Sequence, residues 1–239
     1  MAWIHKLAPS GILRVCINTG NALLAQQDPH THELRGISVM LAERLAHTHK
    51  LQLQTVLVTT AKASVAAVAN KQADIGFFAI DPERAKDVHF TRAYVYIDAC
   101  YLTRKASGLH HLQDIDRAGV RIVVGAGSAY DLFLSRHVQN ASIIRAASTP
   151  DVVPLFADQG YEVAAGLQQA LNEEAQAHPE WAVVTPPFMA IPQAMGCHPK
   201  HSEDVKEGLQ AFIDDQLKAG HVANSIAQQN LTGVRVASV

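Results

Sequence analysis

The residues with the clearest chemical potential lie in one stretch, Ala73-Asp74-Ile75-Gly76-Phe77-Phe78-Ala79-Ile80-Asp81-Pro82-Glu83-Arg84. Ile75 to Ile80 is a short apolar run and reads as a buried strand. Asp81 is a suitable cap for a helical turn, and Pro82 suits the first position of that turn. A strand that ends in a helix start offers backbone N–H donors and a partial positive charge. Arg84 adds a guanidinium fork, and together these groups suit a carboxylate or another small anion. The same spacing also allows Arg84 to pair with Glu83 or Asp87 on the surface.

Three further places carry polar groups at strand ends or helix starts. Leu13 to Ile17 reads as a strand followed by the turn Asn18-Thr19-Gly20-Asn21, so Asn21 either contacts a ligand or serves its own turn. Lys62 follows Thr59-Thr60 at another strand-to-helix junction, as an anion contact or as a solvated lysine. Val120 to Gly125 is a strand, and Ala126-Gly127-Ser128-Ala129 leads from it into a helix. Ser128 thus repeats the arrangement of a hydroxyl beside free amides at a helix start. Gly125-x-Gly127 without a third glycine is too little for a dinucleotide fingerprint, and there is no P-loop. No cofactor is expected.

The thirteen histidines include His47 and His49 near a helix end and His110-His111 beside Gly108. None has i, i+4 metal spacing with a third ligand nearby, so solvated positions are expected and no metal site. Cys16, Cys100 and Cys197 are far apart and make no C-x-x-C pair. Buried free thiols are the expected state, with one disulfide and a leftover cysteine as the alternative.

The elements that must position these residues belong to an ordinary globular chain. Of 239 residues, 48% are hydrophobic and 18% charged, which excludes disordered and fibrous classes. The net charge of −2 and the lack of a contiguous Lys/Arg cluster give no general attraction for nucleic acid or acidic lipid. No apolar run approaches the length needed to span a membrane. The first ten residues lack the basic start and apolar core of a secretory signal. That reads as cytosolic, or as a mature domain restarted with Met.

In order, the chain reads as a strand at 13–17, a polar loop or hairpin at 26–35, and an amphipathic helix at 37–46. An alternating strand at 51–58, an alanine-rich helix at 63–70 and the Ile75–Ile80 strand follow. This β-α-β-α-β order argues for a parallel sheet with right-handed crossovers. After a strand at 94–103 a second series begins: strands at 120–125, 142–145 and 160–165, helices at 130–138, 152–157 and 167–177, and a strand at 181–184. Phe188 to Ala194 returns as an extended segment, and helices at 203–216 and 221–230 close the chain. Two α/β lobes joined by two chain crossings make a hinge, and a cleft between lobes is a default ligand site.

With these elements in place, the sequence resembles the type II periplasmic solute-binding proteins, specifically the family 3 group associated with amino-acid ABC importers. The most specific likeness is Lys71-Gln-Ala-Asp74-Ile-Gly, Asp81-Pro-Glu-Arg84 and Val88-His-Phe-Thr-Arg-Ala-Tyr94, similar to the family block "G-x-x-D … T-x-x-R … F-S-x-P-Y". Gly36-Ile-Ser-Val-Met-Leu-Ala42, Gly125-Ala-Gly-Ser-Ala129 and Gly160-Tyr-Glu-Val-Ala164 are similar to three further family segments. The resemblance implies two Rossmann-like α/β lobes joined by a two-strand hinge, with residues 1–103 plus 198–239 as lobe 1 and 104–197 as lobe 2. It implies that Arg84 meets a ligand carboxylate, and that Ser128 and Ala129 complete the anion site from the second lobe. Phe77 and Ala79 would serve through their backbone groups, because neither side chain carries a hydroxyl. Gln193, on the returning segment, completes the candidate set.

The departures narrow the ligand. Leu167 stands where amino-acid binders carry the acid that holds the ligand ammonium, and burying an ammonium against leucine costs several kcal/mol. Glu162 either substitutes or holds the strand turn. Ser38 and Met40 replace both acids of the family's "D-I-D" segment. The expected ligand is therefore a small organic anion or an amino-acid relative whose amine is held differently. The expected role is that of a monomeric periplasmic binding protein, its signal peptide removed or omitted, presenting solute to the membrane permease of an ABC importer. Two alternatives share the fold. One is a cyclohexadienyl or arogenate dehydratase-like enzyme, for which a placed general acid is lacking; the other is a ligand-sensing module of a receptor.

Overall fold

The computed structural model describes residues 2–238. The first elements are α1 (Ala2–Leu7), β1 (Ile12–Asn18), the short pair β2 (Gln26–Gln27) and β3 (Leu34–Arg35), and α2 (Ile37–Thr48). They continue with β4 (Gln52–Val58), α3 (Ala61–Ala69), β5 (Ile75–Ala79) and β6 (His89–Arg104). Next come β7 (Arg121–Gly125), α4 (Ala129–His137), β8 (Ser142–Ala146), α5 (Val152–Asp158), β9 (Val163–Leu167) and α6 (Gln168–Ala177). The chain closes with β10 (Trp181–Cys197), α7 (Glu203–Lys218), α8 (His221–Gln228) and β11 (Val234–Val236).

Two compact units emerge: residues 1–96, 192–231 and 235–239, and residues 97–191 with 232–234. The chain passes between them inside β6 and inside β10, so each long strand belongs to both.

In the first unit the strand order is β4-β1-β5-β10. β1 pairs in parallel with β4 and β5, and β5 pairs antiparallel with β10. β5 is buried along its whole length, whereas β4 alternates, with Gln52 and Gln54 exposed. A central strand covered on both faces needs a continuous apolar run, and an outer strand does not. Cys16, Val68, Phe78 and Val88 pack together under α3.

α1 was not legible in the sequence, and its docking explains why. A Cβ at Gly208 of α7 would lie 2.2 Å from the Trp3 ring, so only glycine lets α1 rest on α7. That signal is long-range. β11 was also unread. β10 proves to be one strand through Pro186 and Pro187, where a strand at 181–184 and a separate extended segment were expected. Proline fixes φ in a range that extended backbone tolerates, so it removes donors without ending the strand.

The second unit is ordered β6-β9-β7-β8, with β7 parallel to β8 and β9, and β6 antiparallel to β9. Phe156, Leu171, Trp181 and Cys100 build its core. Arg104 closes one end of this core. Its guanidinium lies 4.3 Å from the centroid of the Phe156 ring and donates to the carbonyls of Tyr161 and Phe156. All three cysteines are buried free thiols, as the sequence indicated. Burial pushes Cys100 and Cys197 up to about 11, which keeps both thiols protonated and unreactive at neutral pH.

Candidate ligand site

Arg84 follows directly from the end of β5. Asp81 holds the turn, its Oδ1 accepting the Glu83 N–H at 2.8 Å and its carbonyl accepting the Ala85 N–H at 3.0 Å. A single 3-10 turn, Arg84–Lys86, follows in place of a longer helix. Arg84 is only 6% exposed. Its Nη1 donates to the Ala79 carbonyl at 3.2 Å, so the side chain folds back over the strand it follows. Glu83 holds Lys86, at 2.5 Å. Burial pulls the Arg84 pKa down, and the charge of buried Asp81 opposes that shift. Arginine stays protonated under any such shift, which makes Arg84 a permanent buried cation.

Ala79 brings two other candidates to Arg84. Gln193, 4% exposed, is its direct partner across the β5–β10 ladder. Phe77, two residues back on β5, shares its face and meets Tyr94 edge-on, with ring centroids 6.0 Å apart. Tyr94 is fully buried, and its hydroxyl lies 3.4 Å from the Ser38 hydroxyl. Ser38, at the position of a family acid, is therefore held by Tyr94 inside the first unit.

Asn21 lies beyond the C-terminal end of β1, the strand beside β5. Its turn is closed by backbone groups, the Asn21 carbonyl accepting from the N–H groups of Leu24 and Ala25 at 3.0 Å each. The side chain that serves this turn is Asn18, whose Oδ1 accepts from the Gly20 N–H at 3.0 Å. The Asn21 Oδ1 is buried with no hydrogen-bond partner among the described residues. Leaving such an atom unpaired costs about 1–3 kcal/mol, so it marks a place where a partner is expected. Lys62 is exposed in the first turn of α3, a helix capped by the Thr60 hydroxyl.

In the second unit Ser128 caps α4, its Oγ accepting the Asp131 N–H at 3.1 Å. Gly127, at φ 70°, makes the turn, and its N–H donates to the Asp131 carboxylate at 2.8 Å. Asp131, 4% exposed, also binds Arg145 at 3.0 Å and accepts from the Ser135 hydroxyl at 3.2 Å. Sequence reasoning passed over this acid, because its partner lies fourteen residues away on β8. Asp131 organises the Gly127–Ala129 turn and places a negative charge in the first turn of α4. Ala129 contributes a backbone position at that helix start.

Glu162 has another occupation. Its carboxylate accepts from the Arg121 backbone N–H at 2.9 Å, from Nε at 2.8 Å and from Nη2 at 2.6 Å. The Arg121 guanidinium holds Glu162 below its usual range. These bonds fill the strand-turn role. Leu167 ends β9 and precedes α6. Just beyond it, Gln169 accepts the Thr232 N–H at 3.0 Å and so ties down the C-terminal segment. No group of three metal-ligating side chains occurs among the described residues.

This architecture has solved counterparts. The cysteine-binding protein of Campylobacter jejuni is 16% identical, with a TM-score of 0.79 and 98% of both chains covered. An amino acid ABC transporter substrate-binding protein of Streptococcus pneumoniae, solved with L-arginine, is 16% identical, with a TM-score of 0.78 and 94% of this chain and 96% of that one covered. An ancestral amino-acid-binding protein, described as a precursor of cyclohexadienyl dehydratase, is 18% identical, with a TM-score of 0.77 and 94% and 97% covered. No curated protein sequence matches. The fold is thus that of the type II periplasmic binding proteins. Residues 13–230 match the model of the bacterial extracellular solute-binding proteins, family 3, and the chain belongs to that family.

Proposed function

We propose that this chain is the solute-binding component of an ABC importer and that its solute carries a carboxylate held by Arg84. The observation that carries the reading is the buried Arg84 guanidinium, folded against Ala79 at the end of β5. A planar fork with five N–H donors matches a carboxylate in two-point geometry, and burial strengthens each charge-assisted bond. Asn21, with its unpaired buried oxygen, and Gln193, opposite Ala79, are the proposed polar neighbours that orient the rest of the solute. In this reading Ser128 and Ala129 contribute from the second unit when two lobes close on the solute. The family assignment supports an extracellular or periplasmic setting and a permease partner.

The solute is a small organic acid or an amino-acid relative rather than an ordinary α-amino acid. The Leu167 position offers no acid, and Glu162 is held by Arg121. A binder is favoured over a dehydratase for a related reason. The Arg121 guanidinium keeps Glu162 ionised, and an ionised carboxylate is no proton donor at neutral pH. Calorimetry against a panel of mono- and dicarboxylates and the common amino acids tests the reading. Binding confined to carboxylates, or shared with amine-modified amino acids, is expected. Tight binding of ordinary α-amino acids with the carboxylates silent would overturn it, and release of an aromatic product from prephenate or arogenate would favour the enzyme.

A further inference from the structure

A second cation-rich site lies in the first unit, at the opposite end of its strands. A cavity of about 270 Å³ opens where β1 and β5 begin and β10 ends, and its lining includes Arg14, Lys71, Asp74, His198 and Lys200. That volume approaches the lower end of small-molecule sites, about 300 Å³. The five residues of β5 separate it from the Arg84 turn by about 16 Å at 3.3 Å per residue.

The charges of the cavity divide into a neutralised floor and a rim of two lysines. Arg14 and Asp74 form the floor. The Asp74 carboxylate accepts from the Arg14 N–H at 2.8 Å and from its Nη2 at 2.5 Å, while Nη1 donates to the Lys71 carbonyl at 2.9 Å. Lys6, also on the lining, is held by Asp204 at 2.6 Å. Lys71 and Lys200 form no ion pair among the described residues, and both are exposed. His198 lines the same cavity. Its Nδ1 accepts the Lys200 N–H at 3.1 Å, so in the neutral ring Nε2 carries the proton and is a donor. His201 follows on the same turn, its N–H bonded to the His198 carbonyl at 3.1 Å.

A chain of net charge −2 thus brings four of its twenty Lys and Arg residues to one concave place, from positions that lie far apart in sequence. The histidines register the resulting positive field. Burial lowers the His198 pKa first, and Lys71 and Lys200 lower it further against the opposing charge of Asp87. A multiply charged anion relieves that repulsion more than a monocarboxylate does, and lysines serve such anions as point charges.

We propose that this cavity binds a phosphate group, with Lys71, Lys200 and the Nε2–H of His198 as its donors. Free phosphate and an anionic lipid headgroup both present this chemistry, and two arms of one experiment separate them. Calorimetry uses inorganic phosphate at fixed ionic strength, with chloride as the control; flotation uses vesicles of phosphatidylglycerol in phosphatidylcholine. Wild type, Lys71→Gln/Lys200→Gln and Arg84→Gln are compared, each checked for folding by circular dichroism.

Phosphate binding that falls at least about tenfold in the double lysine variant and survives in Arg84→Gln is the expected result. Vesicle binding with the same pattern, and inorganic phosphate silent, assigns the group to a lipid. Silence in both arms, or binding that the folded double variant retains, overturns the proposal. None of these outcomes bears on whether Arg84 holds a carboxylate.

Discussion

The turn after β5 and the turn before α4 begin from the same plan, a strand delivering backbone amides to a helical start, and they end with opposite charges at their centres. In the first unit the centre is a cation. Arg84 is buried against Ala79, with Gln193 across the ladder and an unpaired Asn21 oxygen on the neighbouring strand end. In the second unit the centre is an anion. Asp131 collects Gly127 N–H, Ser135 hydroxyl and Arg145, and its own N–H goes to Ser128. Beside the first turn one buried oxygen, that of Asn21, has no partner among the described residues, whereas Asp131 gathers three partners in the second. If Arg84 holds the solute's carboxylate, affinity depends on the first turn more than on the second.

The sharpest way to break this contrast is Arg84→Gln. Hydrogen bonds to charged groups contribute about 1.5–3 kcal/mol each, so losing a two-point contact should weaken carboxylate binding at least a hundredfold in calorimetry. Stability should fall as well, because Asp81 loses the cation that faces it in a buried place. Arg84→Lys separates the two effects by keeping the charge while losing the fork.

Asp131→Asn should behave in the opposite manner. It removes a buried carboxylate from Arg145, and a loss of about 2 kcal/mol is expected in denaturant unfolding, with affinity changing less than about tenfold. Equal losses of affinity at Asp131 and Arg84 would abolish the distinction between the two turns.

Asn21→Ala carries a more telling sign. Removing an unpaired buried oxygen should leave the free protein as stable as before or slightly more so, while solute affinity falls about fivefold, the loss of roughly one neutral hydrogen bond. A destabilised apo protein would mean that the side chain already has a structural partner.

The smallest effect concerns Glu162 and pH. Arg121 depresses its pKa in the folded state below the ordinary 4.5. Its contribution is therefore complete above pH 4.5 and disappears as the pH falls through the lowered value. Glu162→Gln should flatten that acid limb of a melting-temperature profile and leave solute affinity at neutral pH unchanged.

Local pattern made much of this legible. The run Ile75–Ile80 followed by Asp81-Pro82 fixed a strand and a turn, and Gly127-Ser128 after the Val120–Gly125 strand marked a helix start. Polar residues within an element were readable because period and capping are local properties. Their partners were not. Nothing near Arg84 in sequence distinguishes burial against Ala79 from a surface pair with Glu83, and the Asp131–Arg145 and Glu162–Arg121 pairs form only when β7, β8 and β9 assemble. α1 needed Gly208, two hundred residues away, to find its seat. The rim lysines likewise come from positions 71 and 200, which is why no basic cluster stood out along the chain.

If Arg84 recognises a carboxylate, the preference of the protein for an acid over its amide depends on that side chain. The tightest carboxylate from the calorimetric panel and its primary amide are titrated into wild type and Arg84→Gln. Wild type should prefer the acid by at least about a hundredfold, and Arg84→Gln should lose that preference. An acid preference that persists in folded Arg84→Gln would contradict the account, because another group would then hold the carboxylate.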